Sequence, residues 1–176
     1  MQFASAMVSH DWRNLGYPSV RVAEFWDSRS CGISCLRMAF GALDVGGSMG
    51  PAALTEALLE RAAYTETSGW KHGHLAAYAT ELGLAASPQI IHSVDELQAA
   101  HARGAVVIVS IGHSFETPGK TGHLAVLLSI AESGEAVLHI PSGDNPDQGK
   151  GVRVPTGVFW EHFSGRAIVL SRHDHP

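Results

Sequence analysis

Apolar positions recur along the chain in two rhythms, a helical one in the first half and a strand-like one after it. Leu36, Ala39, Phe40 and Leu43 fall at i, i+3, i+4 and i+7, one face of an α-helix. Ser30 just before them suits an N-cap, which places Cys31 in the first helical turn. A second helix starts near Pro51, a good first-turn residue, with Leu54, Ala57, Leu58 and Ala62 as its stripe. A third runs from about Gly73 to Leu82 and stops at Gly83. A fourth opens on Ser93-Val94-Asp95-Glu96, the pattern of a capping box, and ends by Gly104.

From there β-branched runs take over. Ala105–Ile111 and His123–Ile130 are the strongest, Ala136–Ile140 is joined to the second by a turn at Ser133-Gly134, and Val152–Val154 and Ala167–Leu170 complete the set. Between the last two, Gly157–His162 fits one helical turn. Helices first and strands later predict an α+β fold, with N-terminal helices packed on a C-terminal antiparallel sheet. Residues 1–24 are expected to form an irregular segment and 171–176 a flexible tail, around one domain spanning 1–176.

Composition agrees with a soluble globular domain: 45% hydrophobic and 16% charged residues over 176 positions. The net charge of −5 and the lack of a basic stripe argue against a nucleic-acid partner. The longest apolar runs are too short to span a bilayer, and the first twenty residues lack a signal-peptide pattern. Cys31 and Cys35, only four apart, read as reduced thiols, consistent with a cytoplasmic protein. Oligomeric state leaves no mark in the sequence.

Cys31 is the leading candidate for chemistry. A thiol in a first helical turn feels the positive end of the helix dipole, and free N–H groups there bind an oxyanion. Cys35, one turn further in, reads as a small core residue. The matching base is His123, which opens an apolar strand beside Gly122. His113, after the other strong strand, is a second histidine for the same cleft. Lys71-His72-Gly73-His74 contains no paired metal-ligand spacing, so no metal is expected.

Arg29-Ser30-Cys31-Gly32-Ile33-Ser34-Cys35-Leu36-Arg37-Met38 resembles the Cys-Gly helix start of the bacteriocin-leader-processing branch of papain-like cysteine peptidases. Gly122-His123-Leu124-Ala125-Val126-Leu127 looks like that family's Gly-His strand, and His139-Ile140-Pro141-Ser142-Gly143 like the segment after the next strand. Gly69-Trp70 and Glu81-Leu82-Gly83-Leu84 extend the likeness over roughly residues 25–170. The resemblance implies a papain-like fold, amide hydrolysis or related acyl transfer through Cys31 and His123, a peptide or acyl-donor substrate, and no cofactor.

Two positions depart from that pattern. The Asp or Asn that orients the family's imidazole is Ile140 here, which leaves His139, Ser142 or Asp144 as substitutes or the pair as a dyad. The family's oxyanion Gln, six residues before the Cys, is Phe25. Backbone N–H groups, Ser30, or side chains near Asp27–Ser28 then have to serve, with Trp70 and His113 as cleft walls. Losing an orienting group usually costs orders of magnitude in rate. The competing reading is a degenerate peptidase fold that binds a peptide without cutting it.

Overall fold

A computed structural model describes residues 1–47, 49–142 and 147–173. In chain order the elements are a 3-10 turn Ser9–Asp11, α1 Val20–Asp27, α2 Cys31–Leu43, α3 Pro51–Glu60, β1 Tyr64–Thr65, β2 Gly69–Trp70, α4 His72–Glu81, β3 Leu84–Ile90, α5 Val94–Ala102, β4 Val106–Ile111, β5 His123–Ile130, β6 Glu135–His139, β7 Val152–Pro155, α6 Thr156–His162 and β8 Phe163–Arg172. The fold is α+β. A six-stranded antiparallel sheet in the order β3-β8-β4-β5-β6-β7 carries helices on both faces.

The sheet separates two cores. On one face α1 to α4 pack through Trp26, Leu36, Phe40, Leu58 and Leu75 against Ile108, Val126 and Ile168. On the other, Leu97 of α5 and Phe159 of α6 cover Val107, Val109, Ala125 and Leu127. This explains the unbroken β-branched run of β4: every one of its residues is buried, because successive side chains enter opposite cores. Burying both faces of the central strands supplies much of the hydrophobic driving force.

Several sequence expectations are corrected. The segment 1–24 is not wholly irregular, since α1 begins at Val20 with Ser19 Oγ accepting from Val22 N at 3.3 Å. β3 lies where no strand was expected. Its last four residues, Ser87–Ile90, are exposed at the sheet edge, so no alternation of apolar positions marks it. Ser171 and Arg172 belong to β8, not to a tail. Arg172 pairs with Leu84, and its Nε donates to Leu43 O at 2.8 Å. Ala62, assigned to the stripe of the second helix, follows α3 with φ 52 and takes no part in it. At α5 Ser93 caps as expected, accepting from Glu96 N at 3.3 Å, but Glu96 Oε2 reaches His92 N at 3.2 Å. Among the described residues no helix is long and apolar enough to cross a membrane.

Candidate active site

The start of α2, the β1–β2 hairpin and the ends of the central strands enclose a cleft of about 690 Å³. Cys31 and Trp70 line it from the helical side, Ser110, His123 and Leu124 from β4 and β5, and Gln89, Ile90 and Arg166 from β3 and β8. The two residues singled out for chemistry therefore share one crevice, although 92 positions separate them in sequence.

Cys31 is half-buried and free of any disulfide, whereas Cys35 is fully buried in the core. Burial pushes the Cys31 thiol pKa up. The backbone N–H groups of Leu124, Gly32 and Cys31 itself pull the other way and do not prevail.

His123 is only 7% exposed. Desolvation, and secondarily the charge of His113, push its pKa down to about 4. The two rings lie 6.0 Å apart, centroid to centroid. His123 Nε2 is buried without a hydrogen-bond partner, Cys31 included. Leu124 and Val126 belong to the core under α2, and Ala125 and Leu127 to the opposite one. By alternation the imidazole shares the face of Ala125, so it enters the cleft from the end of the sheet. At neutral pH the resting pair is a thiol beside a neutral imidazole.

The orienting position is apolar in space as well as in sequence. Ile140 packs against the core on the α5 side, and its N–H donates to Gly149 O at 2.9 Å. Two of its proposed substitutes, His139 and Ser142, do not replace it. His139 pairs with Val126, on the sheet face away from His123. Its ring stands 5.2 Å from that of Phe3, and its Nδ1 accepts from Gly151 N at 3.0 Å. Alternation along β6 sends it to the wrong side. Ser142 is exposed and gives His123 Nε2 no partner. Asp144 lies outside the described residues.

Two expected oxyanion helpers are engaged elsewhere. Ser30 is fully buried and does not cap α2 with its side chain; its Oγ donates to Ala6 O at 2.9 Å. Asp27 accepts from Val8 N at 2.6 Å and Ser9 N at 2.8 Å, and also pairs with Ser9 Oγ, anchoring the N-terminal segment to α1. Both tasks depend on partners 18 to 24 positions upstream, which no local pattern reveals. Ser28 does line the cleft, with its Oγ accepting from Arg29 Nη1 at 3.1 Å. His113 is exposed and sits against Gly122, where a Cβ would come within 2.5 Å of its Nε2.

Trp70 walls the cleft, and its position explains the glycine after the thiol. Its Nε1 donates to Arg29 O at 2.6 Å, and Tyr64 and Trp26 flank the indole at 4.9 and 5.8 Å between centroids. A Cβ on Gly32 would lie 2.5 Å from the indole. Gly32→Ala is expected to lower stability by about 1–3 kcal/mol, as overpacking does. A shift in the urea midpoint together with altered tryptophan emission checks this; an unchanged midpoint would show that the indole yields freely. Sequence reading missed Ser110, Tyr64, Lys71, His72 and Arg166 as cleft residues. Ser110 was legible in principle, as the one polar residue inside an apolar strand.

Solved structures similar to this chain carry the same architecture. The peptidase domain of Streptococcus ComA, a bifunctional ABC transporter in a quorum-sensing pathway, superposes with a TM-score of 0.62 at 18% identity, over 83% of this chain and 93% of that one. The fold is that of the C39 peptidase domains. A C39-like peptidase from Bacillus anthracis matches the C39 fold of this chain at 0.59 and 18% identity, over 84% and 90% of the two chains. A double-glycine-motif protease of an AMS/PCAT transporter, solved with its leader peptide, matches at 0.54 and 15%, over 81% and 84%. No family model matches the sequence, and no curated protein matches it. Among the described residues no cluster of His, Cys, Asp or Glu is arranged to hold a metal ion.

Proposed function

We propose that this C39-fold chain is a cysteine peptidase-like hydrolase acting on a peptide amide or thioester, with Cys31 as nucleophile and His123 as base. The sulfur attacks the carbonyl carbon as its proton passes to the imidazole. Backbone N–H groups at the start of α2, left without intrahelical partners, take the developing oxyanion. His123 returns the proton to the leaving group, the bond to the amine or thiol breaks, and water resolves the acyl-enzyme. An amine in place of water would make the same intermediate a transferase. The observation that supports this most is the thiol at the start of α2, sharing an open cleft with His123.

A second reading, binding without cleavage, is favoured by the partnerless Nε2 of His123 and the apolar residue at position 140. Incubation with peptide thioesters, followed by intact-protein mass, separates the two. Catalysis predicts an acyl adduct on wild type, none on Cys31→Ala, and formation slowed at least ~10²-fold in His123→Ala. Turnover that survives Cys31→Ala would end the thiol mechanism; saturable peptide binding with no adduct would establish the binding reading.

A further inference from the structure

The chain carries 17 acidic and 12 basic residues, yet its cleft has the opposite balance. Among the described residues lining it there is no Asp or Glu, while Arg29, Lys71 and Arg166 all face it. Of the seven arginines outside the cleft, three sit against carboxylates: Arg61 with Glu81 at 2.8 Å, Arg153 with Glu135 at 3.2 Å and Arg172 with Asp44 at 3.4 Å. Among the described residues no carboxylate is ion-paired with Arg29, Lys71 or Arg166. Arg29 Nη1 donates to Phe25 O at 3.0 Å and stacks over the Phe25 ring, and Lys71 Nζ donates to Ala62 O at 3.0 Å. Both keep further N–H donors beyond these bonds. Arg166 is exposed, and its position is set by a break in strand register. Between Val109↔Ala167 and Ile111↔Phe163 the pairing of β4 with β8 slips, and Gly165 turns with φ 77. Such a bulge re-aims a side chain. The Arg166 charge already acts across the cleft on His72.

We infer that the cleft selects an acidic peptide, one that carries a carboxylate side chain within a few residues of the carbonyl presented to Cys31, with Arg166 as the principal reader and Lys71 and Arg29 in support. A local group of like charges in a walled site concentrates anions even on a protein of negative net charge. A peptide fits better than a small anion. The space is about 690 Å³, and its walls include the Trp70 indole and Ile90, 59% exposed on the edge strand β3. This inference rests on the cleft being a peptide site, but not on its being catalytic.

The test uses Cys31 as the reporter. Alkylation rates with iodoacetate and iodoacetamide are compared at mildly alkaline pH, with N-acetylcysteine amide as the neutral reference thiol. The iodoacetate preference of wild type is expected to exceed that of the reference roughly threefold to tenfold at low salt. It should fall towards the reference in Arg166→Gln and in high salt, and persist in Arg166→Lys. A glutamate-containing peptide should then protect Cys31 from iodoacetamide at lower concentration than its glutamine isostere. A wild-type preference equal to the reference, or equal protection by the two peptides, overturns the inference. Protection by inorganic phosphate as effective as that by the acidic peptide would overturn the choice of a peptide. Absence of turnover alongside selective protection would remove the catalytic reading and leave this one standing.

Discussion

Replacing Ile140 by aspartate is expected to speed alkylation of Cys31 by iodoacetamide at neutral pH by roughly tenfold. Register and alternation give the reason. Val126 pairs with His139, so one further step sets residue 140 against Ala125, on the face His123 shares. There Ile140 packs on apolar neighbours, and the nearby imidazole Nε2 has no acceptor. A carboxylate at that point favours imidazolium, and an imidazolium beside the sulfur favours thiolate. If the thiol pKa falls by about two units, the thiolate fraction rises ~100-fold and its intrinsic nucleophilicity falls about eightfold, leaving a net gain near tenfold. Ile140→Asn separates charge from orientation, because an amide can hold the ring but cannot stabilise its cation; it should recover much less. The rates are read from iodoacetamide kinetics across pH, with Cys31→Ala as blank. If both substitutions leave the profile of wild type, position 140 does not reach His123.

That expectation also marks how far sequence alone could go. α2, α3, α4 and α5 were legible because each buries one stripe, and β4, β5 and β6 because both of their faces are covered. The thiol at a helix start and the histidine at a strand start followed from the same patterns. α1 escaped because its apolar residues lie on both sides: Val20, Val22 and Phe25 are exposed while Ala23 and Trp26 are buried. β3 escaped because Leu-Ala-Ala-Ser-Pro-Gln-Ile has neither period, and its pairing is dictated by β8, some eighty residues later. The tasks of Ser30 and Asp27 were misread for a related reason. Short polar side chains at a helix boundary look like caps or site donors, but here the N-terminal segment folds back and claims them. Long-range partners decide what a polar side chain does, and periodicity carries no information about them.

Stability is expected to decline by about 3 kcal/mol between near-neutral pH and pH about 4 through His123 alone. The ring is buried, its pKa is held at about 4 against an ordinary 6.5, and desolvation is the larger cause, ahead of the charge of His113. A depressed histidine binds its proton later in the native state than in the unfolded chain. The full contribution is therefore present above pH 6.5, is lost progressively as pH falls, and is exhausted near pH 4, where the native state also protonates. His72, His101 and His139 are shifted in the same direction by burial and add to the acid sensitivity of the whole chain. The His123 share is isolated by difference: urea unfolding of wild type and His123→Gln across this range, in which the variant should lose less stability by that amount. His113→Ala tests the second cause, since removing its charge should move the wild-type transition to higher pH and narrow the window. Parallel profiles for wild type and His123→Gln would mean that the imidazole is solvated after all. A solvated imidazole would make His123 a competent base at neutral pH without any help from position 140, so the same titration decides whether the resting pair is held neutral by its surroundings.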